Sequence, residues 1–137
     1  MKKHRFYSFI ILLFGMFILA SCSTDDPGFE EKARYYVKYE VTFKTQHTNT
    51  IKNISFTTEN STENISFTEW VKTKSWEGTY GPVDKNFKAT INCVVPDYNY
   101  DCEIHARIYL SREKEPFVIK SEGIGKYSLF LQANIDF

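Results

Sequence analysis

Apolar and polar residues alternate along most of this chain beyond its first thirty positions. Tyr35, Val37, Tyr39, Val41 and Phe43 fall on one parity, and Tyr36, Lys38, Glu40, Thr42 and Lys44 on the other. A strand turns every second side chain to the same face, so this pattern predicts a half-buried strand. Asn53-Ile54-Ser55-Phe56-Thr57 recurs unchanged as Asn64-Ile65-Ser66-Phe67-Thr68. A two-residue turn at Asn60-Ser61 places Ile54 opposite Phe67 and Phe56 opposite Ile65, all four on one side of a hairpin. Two copies are too few for a solenoid.

Trp70 to Tyr80 alternates less cleanly and is read as a bent strand or a crossing loop. Gly81-Pro82-Val83-Asp84 reads as a turn. Phe87, Ala89, Ile91, Cys93 and Val95 form the next apolar face, and Pro96-Asp97-Tyr98-Asn99 turns the chain. Cys102, Ile104, Ala106, Ile108 and Leu110 form another. Arg112 to Pro116 is a charged loop, and Phe117 to Lys120 a short edge strand opened by its proline. Gly123 and Gly125 permit a bend. A final strand carries Tyr127, Leu129, Leu131, Ala133, Ile135 and Phe137 on one side, and its length predicts a central place in a sheet. A single helical turn near Phe29-Glu30-Glu31-Lys32 is the only other element. Seven or eight strands with one apolar face each can bury those faces only against one another. The expected fold is all-β, an antiparallel β-sandwich or small barrel over residues 33–137.

The first residues follow a different pattern. Lys2, Lys3 and Arg5 precede an apolar run from Phe6 to Ala20 broken only by Ser8 and Gly15. Fifteen helical residues reach about 22 Å, short of the roughly 30 Å hydrocarbon core, so the run suits a signal h-region rather than a spanning helix. Leu19-Ala20-Ser21-Cys22 resembles the lipobox of bacterial lipoproteins. The resemblance implies that residues 1–21 are a signal peptide and that Cys22, the new N-terminus, carries three acyl chains. Two chains already hold a protein stably on a bilayer. Residues 22–32 then form a polar tether. Ser23 matches the family's signal for the outer membrane. Asp25 and Asp26 resemble the surface-export signal of Bacteroidetes lipoproteins, so either face of that membrane is open. The order of elements is also similar to the small MmpS-type transport-accessory proteins, which pair an N-terminal anchor with a β-sandwich. Val37-Lys38-Tyr39-Glu40-Val41, Ile54–Asn60, Trp76 and Gly123-Ile124-Gly125-Lys126-Tyr127 carry that likeness. Ser75 stands where the pattern has proline, the anchor is lipid rather than helix, and no functional residue transfers.

Charge changes little. The chain has 17 basic and 17 acidic residues; the signal removes three basic and no acidic ones, leaving 14 against 17. No basic stripe suited to nucleic acid exists. Twelve Phe, nine Tyr and two Trp fit a β domain.

Cys93 and Cys102 fall on inward parities either side of the Pro96–Asn99 turn. A hairpin pairing Val95 with Tyr100 sets them directly opposite, about 4.5–5.5 Å apart at Cα, within the disulfide window. A disulfide is therefore expected, in a compartment where such bonds persist; two buried thiols are the alternative. Their spacing does not fit a redox motif. Catalytic signatures are missing: no H-x-x-x-H or H-E-x-x-H for zinc, no G-x-S-x-G elbow and no phosphate-cradling glycine loop. His47 sits in a polar loop and His105 on an outward face between Glu103 and Arg107. Asp97 and Asp101 read as turn formers, and the N-x-S/T triplets at Asn53, Asn60 and Asn64 as strand and turn composition. No enzyme activity and no cofactor or metal is expected. Trp70, Trp76, Tyr98 and Tyr100 escape the alternation and are candidate binding residues, with plugs of the sandwich ends as their alternative. The function expected is a non-catalytic, membrane-anchored binding or accessory module acting on an envelope protein or glycan. An inhibitor of lysozyme-type hydrolases and a surface glycan-binding module are the alternatives.

Overall fold

The computed structural model describes residues 33–46, 51–68, 73–96 and 101–136. The chain divides after Lys32. Cys22 and its tether, the helical turn considered near Phe29, His47, Trp70, Tyr98, Tyr100 and Phe137 lie outside the described residues.

Among the described residues all eight elements are strands: β1 (Tyr35–Thr45), β2 (Lys52–Thr57), β3 (Thr62–Phe67), β4 (Thr73–Val83), β5 (Lys88–Val94), β6 (Cys102–Arg112), β7 (Val118–Gly125) and β8 (Ser128–Asn134). They form two four-stranded antiparallel sheets, ordered β4-β1-β6-β7 and β3-β2-β5-β8, packed face to face as a β-sandwich. The core is the set of inward parities read above. Val37, Tyr39, Val41, Phe43, Ile104, Ile108 and Leu110 of the first sheet meet Ile54, Phe56, Ala89, Ile91, Cys93, Leu131 and Ala133 of the second. Tyr39 is wholly buried, and its hydroxyl crosses the core to donate to the Thr57 carbonyl at 2.8 Å. Burial pushes this phenol up to about 12, so it stays a neutral donor.

Strand length sorts the sheets. β1, β4 and β6 each have 11 residues and pair along their whole length, whereas β2, β3, β5 and β8 have six or seven. Pairing β6 with β5 would leave several of its backbone N–H and C=O groups without a ladder partner, and such groups are costly to bury unpaired. The expected β5–β6 hairpin therefore does not form. β5 belongs to one sheet and β6 to the other, so Cys93 lies opposite Ile54 and Leu129, and Cys102 opposite Thr45. Packed sheets stand about 10 Å apart, beyond disulfide reach. Both cysteines are free, buried thiols, and the disulfide expected from the sequence is absent.

The repeated pentapeptides do form the β2–β3 hairpin, but its turn is centred one residue earlier, on Glu59-Asn60. Thr58 N donates to Ser61 O at 2.8 Å, and the Thr58 hydroxyl meets the same carbonyl at 3.2 Å. Ile54 thus faces Ile65, and Phe56 faces Glu63. The shift is of two residues, so the side chains keep their face. Gly81-Pro82-Val83 belongs to the end of β4, and the turn falls at Asp84–Phe87, closed by Phe87 N to Asp84 O at 2.9 Å. Gly81 has a φ of +139°, and a Cβ there would lie 2.8 Å from the Tyr35 carbonyl oxygen, so glycine is required. β8 is an edge strand beside β5 rather than a central one. The edge strand foreseen at Phe117–Lys120 is the longer β7, which runs through Gly123 and Gly125. A Cβ on Gly125 would come within 2.4 Å of the Ser128 carbonyl oxygen, and one on Gly123 within 3.0 Å of Leu131. These glycines let β7 and β8 approach closely along one side of the sandwich.

Candidate functional site

One end of the sandwich gathers the finishes of β1, β3, β5 and β7 and the starts of β2, β4, β6 and β8. A groove of about 640 Å³ opens there. Lys44, Thr45 and Gln46 come from the end of β1, Thr73 from the start of β4, Asp101, Cys102 and Glu103 from the start of β6, and Ile124, Gly125 and Lys126 from the end of β7. Gln46 N donates to Asp101 O at 3.4 Å, which ties the first and third of these together. Glu103 accepts from His105 Nε2 at 2.5 Å and pairs with Lys44 Nζ at 3.5 Å. These two partners, His105 foremost, hold the Glu103 carboxyl below its ordinary range. The groove therefore offers two carboxylates, Glu103 and the exposed Asp101, the lysines at 44 and 126, neutral polar groups, and Ile124, which is 66% exposed.

The opposite end holds the entry of the chain. Arg34 N donates to Glu113 Oε1 at 2.6 Å and Glu113 N donates to Arg34 O at 2.8 Å, so the residues leading into β1 are fastened to the β6–β7 turn. Eleven residues of β1 at about 3.3 Å each put roughly 35 Å between this point and the groove.

Of the candidate binding residues, Trp76 is the one described. It is half-buried on the inward parity of β4, its ring centroid 4.8 Å from that of Phe56, with Tyr80 beside it at 5.0 Å from the same ring. Its outer edge lines a shallow depression with Glu40, Thr42, Ser75 and Glu77. Trp70, Tyr98 and Tyr100 belong to segments 69–72 and 97–100, outside the described residues. His105 lies on the outward parity of β6, as its spacing predicts.

The two outer faces differ in charge. That of the first sheet is an ionic lattice: Lys38 Nζ sits 2.7 Å from Glu40 and 3.1 Å from Glu77, and Arg107 lies 3.3 Å from Glu122. Tyr109 donates to Glu40. Burial pushes the Glu40 carboxyl up, but Lys38, Tyr109 and Arg107 together hold it below its usual value. The outer face of the second sheet carries amides and hydroxyls instead. No group of three or more His, Cys, Asp or Glu among the described residues is arranged to hold a metal ion.

Sequence reading missed Lys52. It is wholly buried at the start of β2, on the same parity as Ile54 and Phe56, and its charge draws the Cys102 thiol down while burial pushes it up. The parity was visible; a lysine on it is simply expected to face water. Comparison with protein-family models, curated proteins and solved structures yields no match.

Proposed function

We infer that this chain is a lipoprotein of the bacterial envelope, held to the outer membrane through acylated Cys22, which works as a non-catalytic binding module for an envelope protein. Leu19-Ala20-Ser21-Cys22 supports the anchor. The observation that carries the binding reading is the polarity of the sandwich: chain entry at Arg34 and the groove of Lys44, Glu103 and Lys126 occupy opposite ends. An extended tether of residues 22–32 spans about 35–40 Å at most, ample to let the domain reorient toward a partner. The mixed charge of the groove, with acid and base side by side, suits a polar protein surface rather than a polyanion.

A photo-crosslinking residue placed at Gln46 or Lys126 of the full-length protein in intact cells tests this. Crosslinks to one partner are expected from both positions, and few from Lys114 at the other end. Equal or heavier crosslinking from Lys114 contradicts the reading.

A further inference from the structure

The repeated pentapeptide has a consequence on the outer face of the second sheet. Because the two copies run antiparallel, Asn53 of one faces Ser66 of the other, and Ser55 faces Asn64. The rows continue across β5 and β8. Asn64, Ser55, Asn92 and Phe130 form one row, and Ser66, Asn53, Val94 and Ser128 the next. Each row crosses four strands, about 14 Å at a strand spacing near 4.8 Å. Between the rows lies a groove of about 350 Å³, lined by Asn53, Ser55, Asn64, Ser66, Asn92 and neighbouring aliphatic side chains.

Three properties of this face point to its ligand. The first is neutrality: along its strands, Lys88 at one end is the sole ionisable residue on the outward parity. The other sheet's outer face is dense with ion pairs. The second is unused hydrogen-bonding capacity. Ser66 Oγ donates to Asn53 Oδ1 at 2.7 Å, which occupies the oxygen and not the NH2 of that amide, and the side chains of Ser55, Asn64 and Asn92 make no hydrogen bond among the described residues. A carboxamide supplies two donors and an acceptor, a hydroxyl one donor and two acceptors. The third is Phe130, 60% exposed at the end of the first row. Its exposed ring offers an apolar platform beside the polar row, the geometry that stacking against a flat ligand needs.

We propose that this face binds a neutral oligosaccharide, with Asn64, Ser55 and Asn92 hydrogen-bonding its hydroxyls and Phe130 stacking against the apolar C–H face of one ring. Sugar hydroxyls both donate and accept, as the amide row does, and a neutral chain loses no charge solvation on this surface. An acidic polymer finds no countercharge here beyond Lys88. None of the residues of the Lys44–Lys126 groove takes part, so the two assignments stand or fall separately.

Native affinity electrophoresis of the full-length protein in detergent, through gels containing β-glucan, xylan, galactomannan or glycogen, tests the assignment, with polygalacturonate as the acidic control. Retardation by at least one neutral polymer and none by polygalacturonate is expected. Phe130→Ala and the double change Asn64→Ala with Asn92→Ala should each weaken retention at least tenfold while keeping the thermal unfolding of the parent. Val118→Ala, an exposed apolar position on the other sheet and outside the Lys44–Lys126 groove, should leave it unchanged. Migration unaffected by every neutral polymer overturns the proposal. So does retention that survives Phe130→Ala and the double change, or self-association through this face without polymer.

Discussion

Cys93 shows how a residue's neighbours decide its chemistry. It is wholly buried between Ile54 and Leu129, and burial pushes its thiol up to about 12 from an ordinary 9. The thiolate is the reactive form, so this cysteine is inert in the native protein. The unfolded thiol ionises near its ordinary value and the folded one near 12. The stabilisation from keeping it protonated is therefore complete at neutral pH and is lost as pH rises between those values, by up to about 1.4 kcal/mol per pH unit. Urea unfolding from pH 8 to 11 should show a midpoint that falls from about pH 9 in the parent, and a shallower fall in Cys93→Ala. Equal slopes contradict this account of the thiol. Inward parities were legible in the sequence for Cys93 and Cys102 alike, but which sheet each would join was not. Parity says which face a side chain takes and nothing of which strand lies beside it. Lys52 is the reverse case, where a correct parity is hidden by a residue type that usually faces water.

At the scale of elements, the apolar faces of β1, β5, β6 and β8 were read correctly because each alternates without interruption. β4 was obscured because its inward positions are Lys74, Trp76, Gly78 and Tyr80, a set that does not look apolar. Lys74 nonetheless places its ammonium 5.1 Å from the centre of the Phe67 ring, joining the edges of the two sheets. The hairpin turn slipped by one residue because the Thr58 and Ser61 hydroxyls close the loop around Glu59-Asn60, a local bond that alternation cannot see. Glycines carry the contact between β7 and β8. Gly125→Ala drives a methyl group onto the Ser128 carbonyl, with backbone rather than a flexible side chain in the way. It should cost about 1–3 kcal/mol in chemical denaturation. Ile124→Ala next to it should stay within about 0.5 kcal/mol, as an exposed position does. A neutral Gly125→Ala would show that β7 and β8 do not meet as described.

The domain after Lys32 is a sandwich with distinct ends and distinct faces. Chain entry and the mixed-charge groove sit at opposite ends, and an ionic sheet face backs a neutral one. The fold class was readable in advance, because amphipathic strands with one apolar face each leave few ways to bury those faces. The groove was not readable, since Lys44, Asp101, Glu103 and Lys126 lie on or just beyond the ends of β1, β6 and β7, whose adjacency depends on sheet order. The neutral face was half visible: the repeat was plain, but its amide row exists only once the hairpin register is known. The reading that unites these features is a sandwich tethered to an envelope through Cys22. Labelling growing cells with radioactive palmitate and comparing the protein with its Cys22→Ser variant tests it most directly. Label and membrane attachment in the parent, both lost in the variant, are predicted; an unlabelled parent, or label that persists in Cys22→Ser, contradicts it.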